Sequence, residues 1–318
     1  MQLIKNRKLF SVINKKRNSG KFKDQLEFLA MCAPASILLL IFSYLPMIGL
    51  ILPFKEFRYD VGIFSSKWVG LKNFNFFFSS SDAFRITRNT IGLNFLFIIT
   101  GTVVAIGIAL MLFEIKNKHH IKIYQTLTIL PNFISYVVAG YITYSLFNPV
   151  YGVLNHLLTS IHLAPVQWYS EPNLWPGILT LTNLWKGVGM ASIIYYAALM
   201  GIDSEYFEAA AIDGASKFKA TIYITLPFLV PLVTILTILS IGGIFRSDFG
   251  LFYQITRNIG LLYSTTDVID TYIFRALKTV GDFNMASAVG LYQALVGFVL
   301  VMVTNKIVKK ISPDSSLF

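Results

Sequence analysis

The chain has 318 residues, 55% of them hydrophobic and only 14% charged, with a mean hydropathy of +0.62 and a formal net charge of +11. Soluble globular domains carry about one quarter charged residues, so the composition excludes an ordinary soluble domain and points to an all-α polytopic membrane protein. The basic excess does not argue for nucleic acid, because Lys and Arg cluster beside apolar runs, where they set topology. The single cysteine, Cys32, excludes an intrachain disulfide and a cysteine metal site, and is read as a small apolar residue buried in the first apolar run.

Residues 1–27 form a basic segment with Lys5, Arg7, Lys8, Lys15, Lys16, Arg17, Lys21 and Lys23 against Asp24 and Glu27, which the positive-inside rule keeps in the cytoplasm. Leu3, Phe10 and Ile13 fit an interfacial helix, and a solvated tail fits equally. The transmembrane region follows over 28–307. Its first span is Phe28 to Phe54, with Pro34 and Pro46 placed to kink it. The polar stretch from Lys55 to about Arg88 is external. Thr90 to Phe113 is the second span, and Glu114 to Lys122 returns three lysines and the pair His119–His120 to the cytoplasm. Adjacent histidines point to different sides of a helix, which suits a solvated loop better than a metal site.

The third span runs from Tyr124 to Phe147 across Pro131. Asn132, Tyr136, Gly140, Thr143 and Tyr144 fall on one stripe at helical spacing. That polar and aromatic face suits either helix packing or the lining of a substrate path. Asn148 to Asn173 contains no Lys or Arg and is external. Leu174 to Met200 is the fourth span, with Lys186 near its middle and Asn183 one turn earlier. A charge at that depth costs at least about 2.5 kcal/mol on insertion scales. Lys186 must therefore face a partner or a water-filled cavity, either in a substrate pathway or in an ion pair across a subunit interface.

A polar island, residues 201–226, separates the fourth span from the fifth. Asp203 or Ser204 caps a short helix there, Glu205 and Glu208 favour its N-terminal half, and Ala209, Ala210 and Ala211 carry it forward. Gly214 suits the left-handed position that ends it, Ser216 caps a second short helix, and Pro227 marks the start of the next apolar segment. The fifth span is Pro227 to Phe245, broken by Gly242–Gly243, with Arg246 and Asp248 at its outer mouth. Gly250 to Asp282 is external and partly helical or re-entrant. Phe283 to Thr304 is the sixth span, with Lys306, Lys309 and Lys310 at its cytoplasmic end, and 308–318 is a cytoplasmic tail. The alternation gives six spans with both termini inside, without an internal repeat or a second globular domain.

The pattern Glu208-Ala209-Ala210, then Asp213-Gly214-Ala215 and Ile224, Leu226 and Pro227, resembles the EAA loop of membrane-spanning subunits in ATP-binding-cassette (ABC) importers fed by a binding protein. Glu208 and Gly214 are six apart, and Asp213 and Leu226 thirteen. Ser65 to Phe74 and Pro149 to Asn155 resemble the carbohydrate branch of that family. Gly281 to Ala288 and the terminal Ser316-Leu317-Phe318 resemble its oligosaccharide and polysaccharide subgroup.

The resemblance implies a type I importer permease fold in the bacterial cell membrane and a carbohydrate substrate passed in from an extracytoplasmic solute-binding protein. The partners it implies are a second, similar permease chain, two ATPase subunits and lipid. Glu208, Ala209, Ala210, Asp213, Gly214 and Ala215 then form a coupling helix seated on an ATPase. No Gly-x-x-x-x-Gly-Lys-Ser/Thr loop occurs, so ATP and Mg belong to the partner subunits and this chain binds no cofactor. Asn132, Tyr136, Tyr144, Asn183 and Lys186 are the substrate-path candidates, offering aromatic faces and amides to a sugar. An intramembrane enzyme lacks support, since the spans hold no histidine and essentially no carboxylate. A channel working without ATP leaves the cytoplasmic helical loop without a purpose.

Overall fold

A computed structural model describes residue 25 and residues 27–311. The basic segment before them and the terminal Ser316-Leu317-Phe318 lie outside the described residues. Two compact units are present among these: the chain up to Leu52 with Arg58–Ser66, and Pro53–Phe57 with the chain from Lys67 onward. The first holds most of helix α1 (Glu27–Phe54) and the short α2 (Gly62–Ser65). Cys32 is exposed on α1, not buried; a span presents apolar side chains outward to lipid, so hydropathy alone does not tell its two faces apart.

The second unit carries everything that follows. A two-residue antiparallel ribbon pairs β1 (Lys55–Glu56) with β2 (Lys67–Trp68). Then come α3 (Lys72–Phe78), α4 (Ser81–Phe113), α5 (Lys118–Ile129), α6 (Tyr136–Phe147), α7 (Val153–Ser160) and α8 (Trp175–Leu199). After them come α9 (Ser204–Ile212), α10 (Lys217–Ala220), α11 (Leu226–Gly242), α12 (Tyr263–Thr266), α13 (Ile269–Arg275) and α14 (Phe283–Ile311). Four helices are long and apolar enough to cross a membrane, and the number reaches six if the two bent pairs, α5 with α6 and α8 with α9, each count as one span.

Helix α8 is the spine. Of its ten buried residues, Trp175, Ile178, Leu179, Thr182, Lys186, Gly189, Ser192, Tyr195 and Leu199 follow one side at helical spacing, and Thr180 lies off it. Ala105 and Ala109 of α4 pack with Tyr195 and Leu199 of α8 and Leu229 of α11. Small residues permit the closest approaches: a Cβ on Gly189 would collide with the Thr128 carbonyl of α5, and one on Gly140 of α6 would come within 2.7 Å of the Gln254 carbonyl oxygen.

Two further sequence expectations change. The third span is not one helix: α5 and a following 3-10 turn, Leu130–Phe133, meet α6 at 98°. Asn132 therefore does not share a stripe with Tyr136 and Tyr144. Pro131 removes one N–H, and Ser135 starts a new helix by accepting from the Val138 N–H. Pro227 likewise does not start the fifth span, which runs unbroken from Lys217 to Gly242. A π turn, Thr221–Thr225, directly precedes that proline, with the Leu226 N–H donating to the Thr221 carbonyl. The same device precedes Pro46, where the Leu45 N–H donates to the Leu40 carbonyl after the π turn Leu40–Tyr44. A widened turn relieves the clash between a proline ring and the carbonyl four residues back, so the helix survives.

Candidate functional site

The loop joining α8 to α11 is built by local rules. Asp203 accepts from the Glu205 N–H at 3.1 Å and caps α9. At the other end the Ala215 N–H donates to the Ala210 carbonyl at 2.9 Å and the Gly214 N–H to the Ala211 carbonyl at 3.1 Å. Gly214 stands at φ +73°. These two bonds with a left-handed residue are a Schellman ending, as the position of Gly214 in the sequence predicts. Ser216 then caps α10 by accepting from the Lys219 N–H at 3.4 Å.

No residue of α9 is buried, and Glu208, Ala209, Asp213 and Gly214 are exposed, while Ala210 and Ala215 are half-buried. Three contacts hold this protrusion from beneath. The Phe207 ring packs 5.8 Å from Phe113, the Tyr206 ring 5.4 Å from Phe228, and Lys217 pairs with Glu114 at 2.9 Å. Ile212 is 87% exposed at the tip. An isolated nine-residue helix is marginal in water, so an anchored helix whose apolar tip lies open is built to meet another surface.

The five substrate-path candidates do not converge. Lys186 is only 6% exposed, and its ammonium donates to the carbonyls of Pro131, at 3.2 Å, and Ile134. It also stands 4.6 Å from the Tyr136 ring centroid. The charge is thus spent on the main chain of the broken span, where, among the described residues, the Ile134 carbonyl takes no backbone N–H and the Pro131 carbonyl takes only the Ile134 N–H, at 3.2 Å. Tyr136 belongs to this cluster, and Asn132 is exposed beside it. Tyr144 lies at the far end of α6, with its ring 5.5 Å from Tyr169 and 4.0 Å from the Arg257 guanidinium. Asn183 faces a separate cavity of about 610 Å³ between α4, α8 and α11, together with Asn94, Tyr195, Ser240, Arg246 and Asp248.

Asn94 and Asp267 are the structurally central residues that sequence reasoning missed. Asn94 donates to the carbonyls of Ile244 and Arg246 at 2.8 and 3.2 Å, fixing the rim of that cavity. Asp267, 1% exposed, accepts two bonds from Arg275, at 3.1 and 2.7 Å, and one each from Arg85 and Thr271. Asp270 nearby accepts from the Ser247 N–H at 2.8 Å and from Gln293 at 3.0 Å. Burial pushes its carboxyl above the ordinary range, and the Ser247 bond, the Gln293 bond and the Arg246 charge oppose that. An amide inside a predicted span was the available signal for Asn94; nothing local marked Asp267.

Comparison with known proteins agrees with this architecture. The sequence profile described as "Binding-protein-dependent transport system inner membrane component" matches residues 101–313. Protein LplB of Bacillus subtilis (strain 168) is 32% identical over 281 residues, 88% of either chain. The polygalacturonan/rhamnogalacturonan transport system permease protein YteP of the same organism is 30% identical over 311 residues, 96% of this chain and 95% of that one. A chain of the bacterial alginate ABC transporter, solved in complex with alginate pentasaccharide-bound periplasmic protein, superposes with a TM-score of 0.82 at 33% identity, covering 91% of this chain and 96% of that chain. A profile that spans two thirds of the sequence, relatives aligned over nearly the full length and a helical loop held out on the membrane rim lead to one assignment: this chain belongs to the inner-membrane components of binding-protein-dependent transport systems and is a permease of the ABC importer class.

Proposed function

We propose that this permease imports a carbohydrate, an oligosaccharide in preference to a single sugar, by alternating access driven through the loop around α9. The relatives named for polygalacturonan, rhamnogalacturonan and alginate support the substrate class. The observation that carries the mechanism is the exposed α9, anchored by two ring contacts of its own and by the Lys217 to Glu114 pair of the adjoining α10. A second permease chain completes the pathway, and two ATPase subunits hold ATP and Mg. In this reading Glu208, Ala209 and Ala210 offer the ATPase a small-residue face with one carboxylate for a base there. Asp213, Gly214 and Ala215 end the helix tightly enough to fit a cleft. Closure of the ATPase pair moves α9, and the Phe207 to Phe113, Tyr206 to Phe228 and Lys217 to Glu114 contacts pass that movement to α4 and α11. Asn183 with Asn94 and Ser240 in the cavity beside α8 gives sugar hydroxyls donors and acceptors.

Gly214→Asp tests this reading. A Cβ at φ +73° is strained, and a new carboxylate alters the face offered to the ATPase. Oligosaccharide uptake is expected to vanish while the chain still inserts in membranes and still co-purifies with a second permease. Undiminished uptake contradicts the assignment of the loop.

A further inference from the structure

Lys186 is committed to main-chain carbonyls, so any acidic group on the cargo must be met elsewhere. Arg257 is available. It is exposed, and among the described residues no carboxylate pairs with it; its side chain instead lies 4.0 Å from the centroid of the Tyr144 ring. It lies between α11 and α14, at the end of α11 opposite the coupling loop. Arg257 stands at φ +54° and Asn258 at φ +50°, a conformation uncommon for residues other than glycine. The strain is held in place by the Tyr263 hydroxyl, which donates to the Asn258 side chain at 2.9 Å, and by the Thr256 hydroxyl, which accepts from the Asn258 N–H at 3.2 Å.

This turn closes one side of a cavity of about 220 Å³ lined by Val137, Gly140, Tyr141, Tyr253, Gln254 and Arg257. Its floor exists because Gly140 lets α6 approach the Gln254 backbone; a side chain there would start 2.7 Å from that carbonyl oxygen. Tyr141 is 64% exposed, and the Gln254 amide has no hydrogen-bond partner among the described residues. Next to Tyr144, the buried Tyr169 hydroxyl likewise has no hydrogen-bond partner among the described residues. Burial pushes that hydroxyl up to about 12, with Arg257 opposing, so it stays a neutral donor.

We infer that Arg257, with Gln254 and the Tyr141 and Tyr253 rings, forms a subsite for one carboxylate-bearing sugar unit of the cargo, and that the permease thereby favours acidic over neutral oligosaccharides. A guanidinium backed by a tyrosine face presents its fork to a carboxylate, the amide matches hydroxyls, and the rings take the C–H face of the sugar. This rests on the carbohydrate-import reading above and names its substrate class.

The test uses the whole importer, this permease with its second permease, ATPase subunits and binding protein, in proteoliposomes. Uptake of a uronic-acid oligosaccharide is compared with uptake of its carboxyl-reduced neutral form. Arg257→Gln is expected to lower uptake of the acidic sugar about tenfold, the size of one charge-assisted contact, and that of the neutral sugar less than twofold, with Arg257→Lys recovering part of the loss. Equal loss of both sugars, or no loss of either, overturns the subsite. If the wild type imports neutral but not acidic sugar, the subsite fails while the carbohydrate reading stands; if it imports neither, both fail. Two other outcomes also overturn it. A change only in how basal ATPase activity responds to anionic lipid assigns Arg257 to a lipid phosphate. A higher binding-protein concentration for half-maximal ATPase stimulation, equal with both sugars, assigns it to docking.

Discussion

The α9 loop and the break between α5 and α6 are both bends in the chain next to α8, and they are held by opposite means. The loop is tied by bonds between near neighbours, Asp203 to Glu205, Ala210 to Ala215 and Ser216 to Lys219, and none of its helix is buried. The break is tied from 52 and 55 residues away, by one buried ammonium on two carbonyls. Water satisfies whatever the loop leaves open. Inside the membrane every orphaned carbonyl needs a protein partner. Stability should therefore reside in the break and transport in the loop, so a substitution at each ought to separate the two properties.

Lys186→Met should have the largest effect on stability. It leaves the Ile134 carbonyl without its donor, at about 1–3 kcal/mol, takes one of two donors from the Pro131 carbonyl, which keeps the Ile134 N–H, and removes the cation from the Tyr136 face. Thermal unfolding of the purified complex in detergent should show a loss of about 2–4 kcal/mol, with uptake falling in proportion to the amount of assembled complex. Normal assembly with lost uptake would instead put Lys186 in the substrate path and erase the contrast between the two bends. Gly189→Ala tests the same region by volume. The added methyl meets the Thr128 carbonyl, so α5 must move off α8 at a cost of about 1–3 kcal/mol.

At the loop the balance should invert. Gly214→Ala places a Cβ at φ +73° in open space, with no neighbour within 4 Å, so the cost is that of the left-handed backbone alone, about 1 kcal/mol. Melting should hardly change. Uptake should fall severalfold and ATPase stimulation by the binding protein should weaken, because the end of α9 is what an ATPase would grip. A large drop in melting with intact coupling would make this loop a structural element.

These expectations also explain what could be read from sequence. Caps and a left-handed glycine are written in residues two to five apart, so the α9 loop emerges residue by residue from Asp203, Gly214 and Ser216. Hydropathy placed the spans to within a few residues at Phe54, Phe113 and Leu199, since length and apolarity are local too. The break at Ser135 was hidden because periodicity assumes one axis, and Asn132 and Tyr144 share a stripe only on a straight helix. Pro227 misled for a related reason: a π turn in front of it is not visible in residue types. Lys186 is marked in the sequence by its charge within a span, but its partners are carbonyl oxygens, which every residue possesses and no sequence pattern marks. Asp267 is the same case, for its arginines lie 8 and 182 positions away.

The Lys217 to Glu114 pair carries the same contrast down to a single surface contact. The two side chains are 81% and 50% exposed, so a solvent-screened pair of this kind contributes about 0.5 kcal/mol or less, and Lys217→Gln should leave melting unchanged. Yet it is the one ion pair among the described residues that ties the α9–α10 loop to the end of α4, and α4 lines the cavity through Asn94. If movement of α9 reaches the cavity partly by this route, Lys217→Gln should lower uptake by about twofold at low salt and less at high salt, where screening has already weakened the wild-type pair. Glu114→Gln should produce the same loss, and the double variant no more than either alone. Additive losses would show that the two charges act separately and not as a pair, and no loss from either variant would leave the movement to the aromatic contacts of Phe207 and Tyr206.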